Sequence, residues 1–290
     1  MFTCSSYLKN HTHPSANPMN KFLSTLINTA MAVLITAFYC LSFASADPTA
    51  QAEDAYPLGD RLTAIQRPIH SIPELTFPDD TFDIHVSAPE STTDFQASLR
   101  YGDYHVDLPI VAAAYDPASQ WHVLTVKTPA PRLYELFDLV LRADGMEPDT
   151  AVNAVKVEPA QDNTWYFVHI TDTHLTTHQY SSNSGYVNDM TEVDDFIAVI
   201  DDINIINPKF VLLTGDVINE GELEDYLTAR YFSITKNTMQ RLEVPIYLVS
   251  GNHDVGGWNA TPPPAGTARN NWYDFFGWDI LKHPNGIYPY

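Results

Sequence analysis

Trp165-Tyr166-Phe167-Val168-His169-Ile170-Thr171-Asp172-Thr173-His174 carries the pattern that sets the fold class. The apolar run from Trp165 to Ile170 reads as a strand buried in a parallel sheet, and a polar cluster follows it at once. The same order returns twice. Lys209 to Thr214 leads into Gly215-Asp216, and Pro245 to Ser250 leads into Gly251-Asn252-His253-Asp254. Between them, Thr191 to Ile206 places Val193, Phe196, Ile197, Ile200, Ile203 and Ile206 at helical spacing, and Asn207-Pro208 stops it. Glu222 to Leu242 reads as a second helix. The order β-α-β-α-β predicts an α/β layer fold with right-handed crossovers. Sites in open α/β sheets form at the carboxyl ends of strands. The clusters are therefore expected to meet at one edge, although about 80 residues separate the first from the last.

These residue types suit divalent metal ions. Asp172 and His174 lie two apart in what reads as near-extended backbone, so both side chains are expected to point one way and grip one ion. Asp216 follows a glycine that lets the chain turn sharply. Its two oxygens are able to bridge metals held about 3.5–4 Å apart, as in two-metal hydrolases. Asn252 offers a neutral carbonyl oxygen to a second ion. Such a pair polarises a phosphoryl oxygen and makes hydroxide available near neutral pH.

Asp172-x-His174, Gly215-Asp216 and Gly251-Asn252-His253-Asp254, in that order, resemble the first three motifs of the calcineurin-like metallophosphoesterases, over about residues 165–255. The resemblance implies an incomplete four-layer α/β sandwich for residues 161–290. It implies hydrolysis of phosphomonoester, phosphodiester or pyrophosphate bonds by hydroxide activated on two divalent ions (Mn, Fe or Zn). Asp172 and His174 would bind the first ion, Asp216 would bridge, and Asn252 would bind the second. His253 would contact the scissile phosphate and protonate the leaving oxygen. Asp254 reads as a structural partner of His253 or of the backbone, and His178 as a solvent-facing loop histidine. The family also uses a further histidine and a Gly-His-x-His motif. After His253 only His283 remains, without that context. The chain is accordingly expected to be a fragment, weakly active or inactive alone, with its remaining metal ligands in sequence beyond Tyr290. The purple acid phosphatases carry Tyr and Glu where this chain has Asn219 and Asp254, so an iron–phenolate centre is not expected.

Upstream the rhythm is different. Phe82, Ile84 and Val86 alternate with polar neighbours, as do Phe95, Ala97 and Leu99, and then Trp121, Val123 and Thr125. Turn signals at Tyr101-Gly102-Asp103, Asp116-Pro117 and Asp144-Gly145 separate such runs, which predicts a small Ig-like β-sandwich over residues 81–160. His85, His105 and His122 read as ordinary strand residues. Residues 47–80 read as an extended lead-in. Phe22 to Ala46 holds no charged residue, follows Lys21 and ends in Ala44-Ser45-Ala46. Residues 1–46 thus read as a signal peptide cleaved near Ala46, with a membrane anchor as the rival. Both cysteines, Cys4 and Cys40, precede that cut. The mature chain then has no disulfide framework, which suits secretion or a bacterial periplasm without stable membrane association.

The 290 residues carry a formal net charge of -21. Such a surface repels nucleic acid, so the expected partner is a small phosphorylated substrate drawn in by bound metal. The competing reading is an exported scaffold or binding protein on a degenerate phosphoesterase fold.

Overall fold

A computed structural model describes residues 61–175, 178–181, 185–188, 191–218, 225–255 and 268–277. The chain divides into two compact units, Met1–Gln51 and Ala52–Tyr290. The first lies outside the described residues, and with it the expected signal peptide. His283 also lies outside them, as do the side chain of His178 and most of the loops around the site. No helix among the described residues is long and apolar enough to cross a membrane.

The first strands are β1 (Ile65–Arg67), β2 (Glu74–Thr76), β3 (Thr81–Ser87), β4 (Thr93–Tyr101) and β5 (Tyr104–Leu108). They are followed by β6 (Ile110–Asp116), β7 (Trp121–Lys127), β8 (Leu136–Asp144) and β9 (Asp149–Val157). They form a four-stranded sheet, β1-β3-β7-β6, and a five-stranded sheet, β2-β9-β8-β4-β5. All pairings are antiparallel except β2 with β9. The lead-in thus supplies one short strand to each sheet.

Alternation explains the packing. Phe82, Ile84 and Val86 of one sheet share a core with Leu99, Phe137, Leu139, Leu141, Val155 and Val157 of the other. One face was misread. In β7 the buried residues are His122, Leu124 and Val126, while Trp121, Val123 and Thr125 are half-buried on the opposite face. Both faces of β7 carry apolar residues, so a period of two does not reveal which faces the core.

The second part runs β10 (Val168–Ile170), β11 (His178–Ser181), β12 (Gly185–Asn188), α1 (Thr191–Ile206) and β13 (Val211–Thr214). Then come α2 (Asp225–Met239), β14 (Ile246–Val249), α3 (Asn252–Val255) and α4 (Ala268–Phe276). Strands β10, β13 and β14 form a parallel sheet in that order, with Ile170 opposite Leu213 and Leu213 opposite Leu248. β11 and β12 pair as a hairpin where the sequence suggested only loop. Val211, Leu213, Ile246 and Leu248 pack against α1 through Phe196, Ile200 and Ile203, and against Phe232 and Trp272 of α2 and α4.

The first strand is shorter than its apolar run. Trp165, Tyr166 and Phe167 precede the ladder and are half exposed. Phe167 stacks on Phe210 at 5.4 Å, and Phe210 meets the Tyr247 ring edge-on at 5.6 Å. Trp165, Tyr166 and Phe167 leave exposed apolar surface beside the sheet, whereas Phe210 and Tyr247 are half-buried. Hydrogen bonds tie the sandwich to the α/β part: Asn153 Nδ2 donates to the carbonyls of Gln240 and Leu242, and Ser71 Oγ donates to that of Phe276.

Candidate metal centre

Two glycines allow the ends of β13 and β14 to touch. A Cβ on Gly215 would stand 2.9 Å from the Gly251 Cα, and a Cβ on Gly251 would stand 2.4 Å from the Asp216 nitrogen and 2.2 Å from its Oδ1. Any larger side chain would push the clusters apart. Gly215 adopts φ +88, the sharp turn expected before Asp216.

The first cluster is laced to the second by backbone bonds that continue beyond β10. The Asp172 amide donates to the Gly215 carbonyl at 3.1 Å, and that of His174 to the Asp216 carbonyl at 3.0 Å. The third cluster joins through the His253 amide, which donates to Asp216 Oδ1 at 2.9 Å. One ligand atom each from His174, Asp216 and His253 then lies within 4.8 Å of the others. The His174 and His253 rings meet edge-on at 4.7 Å.

Asp172 stands beside this group, its Oδ1 3.8 Å from His174 Nε2, with its side chain 59% exposed. The backbone here is not near-extended. Asp172 has φ 56, His174 φ 44 and Asp216 φ 49, so all lie in the left-handed region that non-glycine residues rarely adopt. Their proximity comes from curled backbone held by cross-strand bonds, and two-residue spacing does not produce it. Asn252 is exposed at the start of α3, directly before His253.

Asp254 supports the centre from below. It is fully buried; its Oδ1 accepts from the amides of Val217 and Ile218, and its Oδ2 from that of Gly251. Burial pushes its carboxyl up to about 7, against the pull of these amide donors, and the nearby Asp216 charge adds to the rise. This is the backbone-partner role anticipated for it. The sequence reading overlooked Thr171, whose hydroxyl lies 2.6 Å from Asp172 Oδ2 and 2.9 Å from the Thr214 carbonyl. Its place directly before the motif was the available signal.

The donor set fits a divalent cation. His174 Nδ1 is buried without a hydrogen-bond partner, an orphan that is costly unless something binds it. Imidazole nitrogens with a carboxylate suit Mn, Fe or Zn.

The calcineurin-like phosphoesterase family profile matches residues 166–288. A probable cyclic nucleotide phosphodiesterase of Moraxella catarrhalis is 31% identical over 94 residues, covering 32% of this chain and 29% of that protein. The DNA double-strand break repair protein Mre11 of Methanococcus maripaludis is 33% identical over 90 residues, covering 31% of this chain and 23% of that protein. The chain thus spans less than a third of the length of these curated relatives. A purple acid phosphatase from yellow lupin aligns in structure with TM-score 0.31 and 12% identity, covering 68% of this chain and 37% of that one. Over residues 166–288, then, this chain is similar to the calcineurin-like phosphoesterases.

Proposed function

We propose that this protein hydrolyses phosphoester bonds at a dinuclear metal centre built on the ends of β10, β13 and β14. The convergence of His174, Asp216 and His253 within 4.8 Å carries the reading. His174, with its orphaned Nδ1, and Asp172 would hold one divalent ion. Asp216 would serve both ions, and Asn252 would offer its carbonyl oxygen to the second. Bound divalent ions supply Lewis acidity, which polarises a phosphoryl oxygen and lowers the pKa of water. Asp216 Oδ1 already accepts the His253 amide, so that contact fixes the carboxylate and the histidine backbone together. His253 contacts the substrate phosphate and protonates the leaving oxygen. The substrate is a small phosphomonoester, phosphodiester or pyrophosphate. A net charge of -21 opposes long polyanions such as nucleic acid.

In this reading the chain is exported by residues 1–46, and the sandwich is an Ig-like accessory domain. The test is phosphatase and phosphodiesterase assay of the natural protein containing these residues, with Mn²⁺, before and after Asp216→Asn. A fall in kcat/KM of about 100-fold or more is expected. Unchanged turnover would rule out the bridging role of Asp216, and no turnover by the parent would favour the scaffold reading.

A further inference from the structure

The cavity at the seam between the sandwich and α2 is walled in part by His70 and Lys236, each already engaged within the chain. A second cavity, of about 410 Å³, opens between the two sheets of the sandwich, and none of its lining residues belongs to the metal cluster. The pairing explains the gap. β5 reaches only Ala97 to Tyr101 of β4, so Thr93 to Gln96 have no partner on that side among the described residues. β6 faces β4 as the last strand of the opposite sheet. Its Ala113 stands opposite the buried Leu124, yet is too small to close the mouth and is itself exposed. Three rings line the opening. His122 lies 4.9 Å from Phe95 and 5.0 Å from Tyr115, with its Nε2 2.8 Å from the Pro89 carbonyl.

Edge strands normally carry a guard against pairing, such as lysine, proline, a bulge or a covering element. β6 reads Ile110-Val111-Ala112-Ala113-Ala114-Tyr115-Asp116. A bulge lies at its Ile110 end, but Ala112 to Asp116 run in regular register with β7, and no described strand pairs with their outer edge. Val111 is 57% exposed, and the three alanines are exposed too. Outward amides and carbonyls are therefore left for another strand. Charge says which strand fits. Asp116 is committed to the Ala118 and Ser119 amides and the Ser119 hydroxyl. Asp94, in the lining of the mouth, meets only the Thr93 hydroxyl at 3.3 Å, and no ion pair among the described residues uses it. A second copy would bring another net charge of -21 and a β6 with no cation to offer Asp94. An extended segment bearing lysine or arginine meets every demand: backbone for the edge, an alkyl stem for the rings and a cation for Asp94.

We propose that β6 takes an added strand from a basic polypeptide, which pairs with Ala112 to Asp116 and lays one lysine or arginine over Phe95, Tyr115 and His122 to meet Asp94. The sandwich is then a docking module that works independently of the metal centre. The probe is the blocked peptide acetyl-Thr-Val-Thr-Lys-Thr-Val-Thr-amide, set beside the same peptide with glutamate in place of lysine. Each is titrated into the full chain in EDTA, followed by calorimetry and by amide hydrogen exchange of β6. Saturable binding of the lysine peptide is expected, about tenfold or more tighter than that of the glutamate peptide. Exchange should slow at outward amides between Ala112 and Asp116. Asp94 has φ 55, which asparagine tolerates, and Asp94→Asn should weaken binding about threefold or more. Ala113→Phe, which fills the mouth, should weaken it about tenfold or more, while Asp216→Asn leaves it unchanged. No binding, equal binding of the two peptides, or binding without slower exchange in β6 would overturn the proposal. So would exchange that slows with protein concentration alone, which assigns the edge to a second copy. The two peptides decide the matter on the unaltered chain if a variant does not fold.

Discussion

Asp172, His174 and Asp216 each hold a φ between 44 and 56. Non-glycine residues kept there cost of order 1–3 kcal/mol each, so the surrounding structure must enforce them. The enforcement is visible in the amides of Asp172 and His174 bonded to Gly215 and Asp216, and in Asp254 gathering the amides of Val217, Ile218 and Gly251. The glycines make the arrangement possible. Gly251→Ala sets a methyl 2.4 Å from the Asp216 nitrogen. It should destabilise the fold by about 1–3 kcal/mol in urea unfolding and weaken metal binding in step. A variant as stable as the parent would mean the strand ends are not so tightly joined. Asp254→Asn swaps one acceptor oxygen for a donor among three amide donors, and a loss of about 1–3 kcal/mol is expected. Serine at this position, too short to reach them, should not rescue it.

Among the elements, the seam is where single contacts span two layers. Asn153 has φ 52 and bonds the carbonyls of Gln240 and Leu242. Asn153→Gly retains the backbone and loses only the bonds, whereas Asn153→Ala loses both, so thermal melts should rank them parent, then glycine, then alanine. His70 gives the seam a pH dependence. Its pKa is about 3 when folded against 6.5 as the ordinary value. The unfolded chain therefore takes up a proton that the native state refuses, and stability falls as pH drops below about 6.5 toward about 3. Each unit inside that window costs about 1.4 kcal/mol. The stability difference between parent and His70→Phe should change with that slope, and a difference independent of pH would contradict it. Element by element, legibility followed one-sidedness. The helix from Thr191 to Ile206 was readable because Val193, Phe196, Ile200 and Ile203 mark one buried stripe. β7 was misassigned because it is apolar on both faces, and Trp165 to Phe167 looked buried because hydrophobicity alone does not show whether a layer covers it. The three site clusters could be found because each follows a strand. Their left-handed backbone could not be, since it is imposed by bonds between residues some 40 positions apart in the chain.

For the molecule as a whole, a net charge of -21 makes an anionic substrate a problem that the site has to solve locally. In the proposed reading, cations bound at the edge of the β10-β13-β14 sheet would provide the solution, and the same linkage would make metal a stabiliser of the fold. Chelation should lower the melting temperature, and Mn²⁺ or Zn²⁺ should restore it. The most direct measurement is calorimetric titration of the metal-free protein with Zn²⁺, set beside Asp216→Asn and His174→Ala. Binding by the parent, weakened about 100-fold or more in each variant without loss of the folded baseline, is the predicted result. Equal Zn²⁺ affinity in all three proteins would contradict a metal centre at these strand ends.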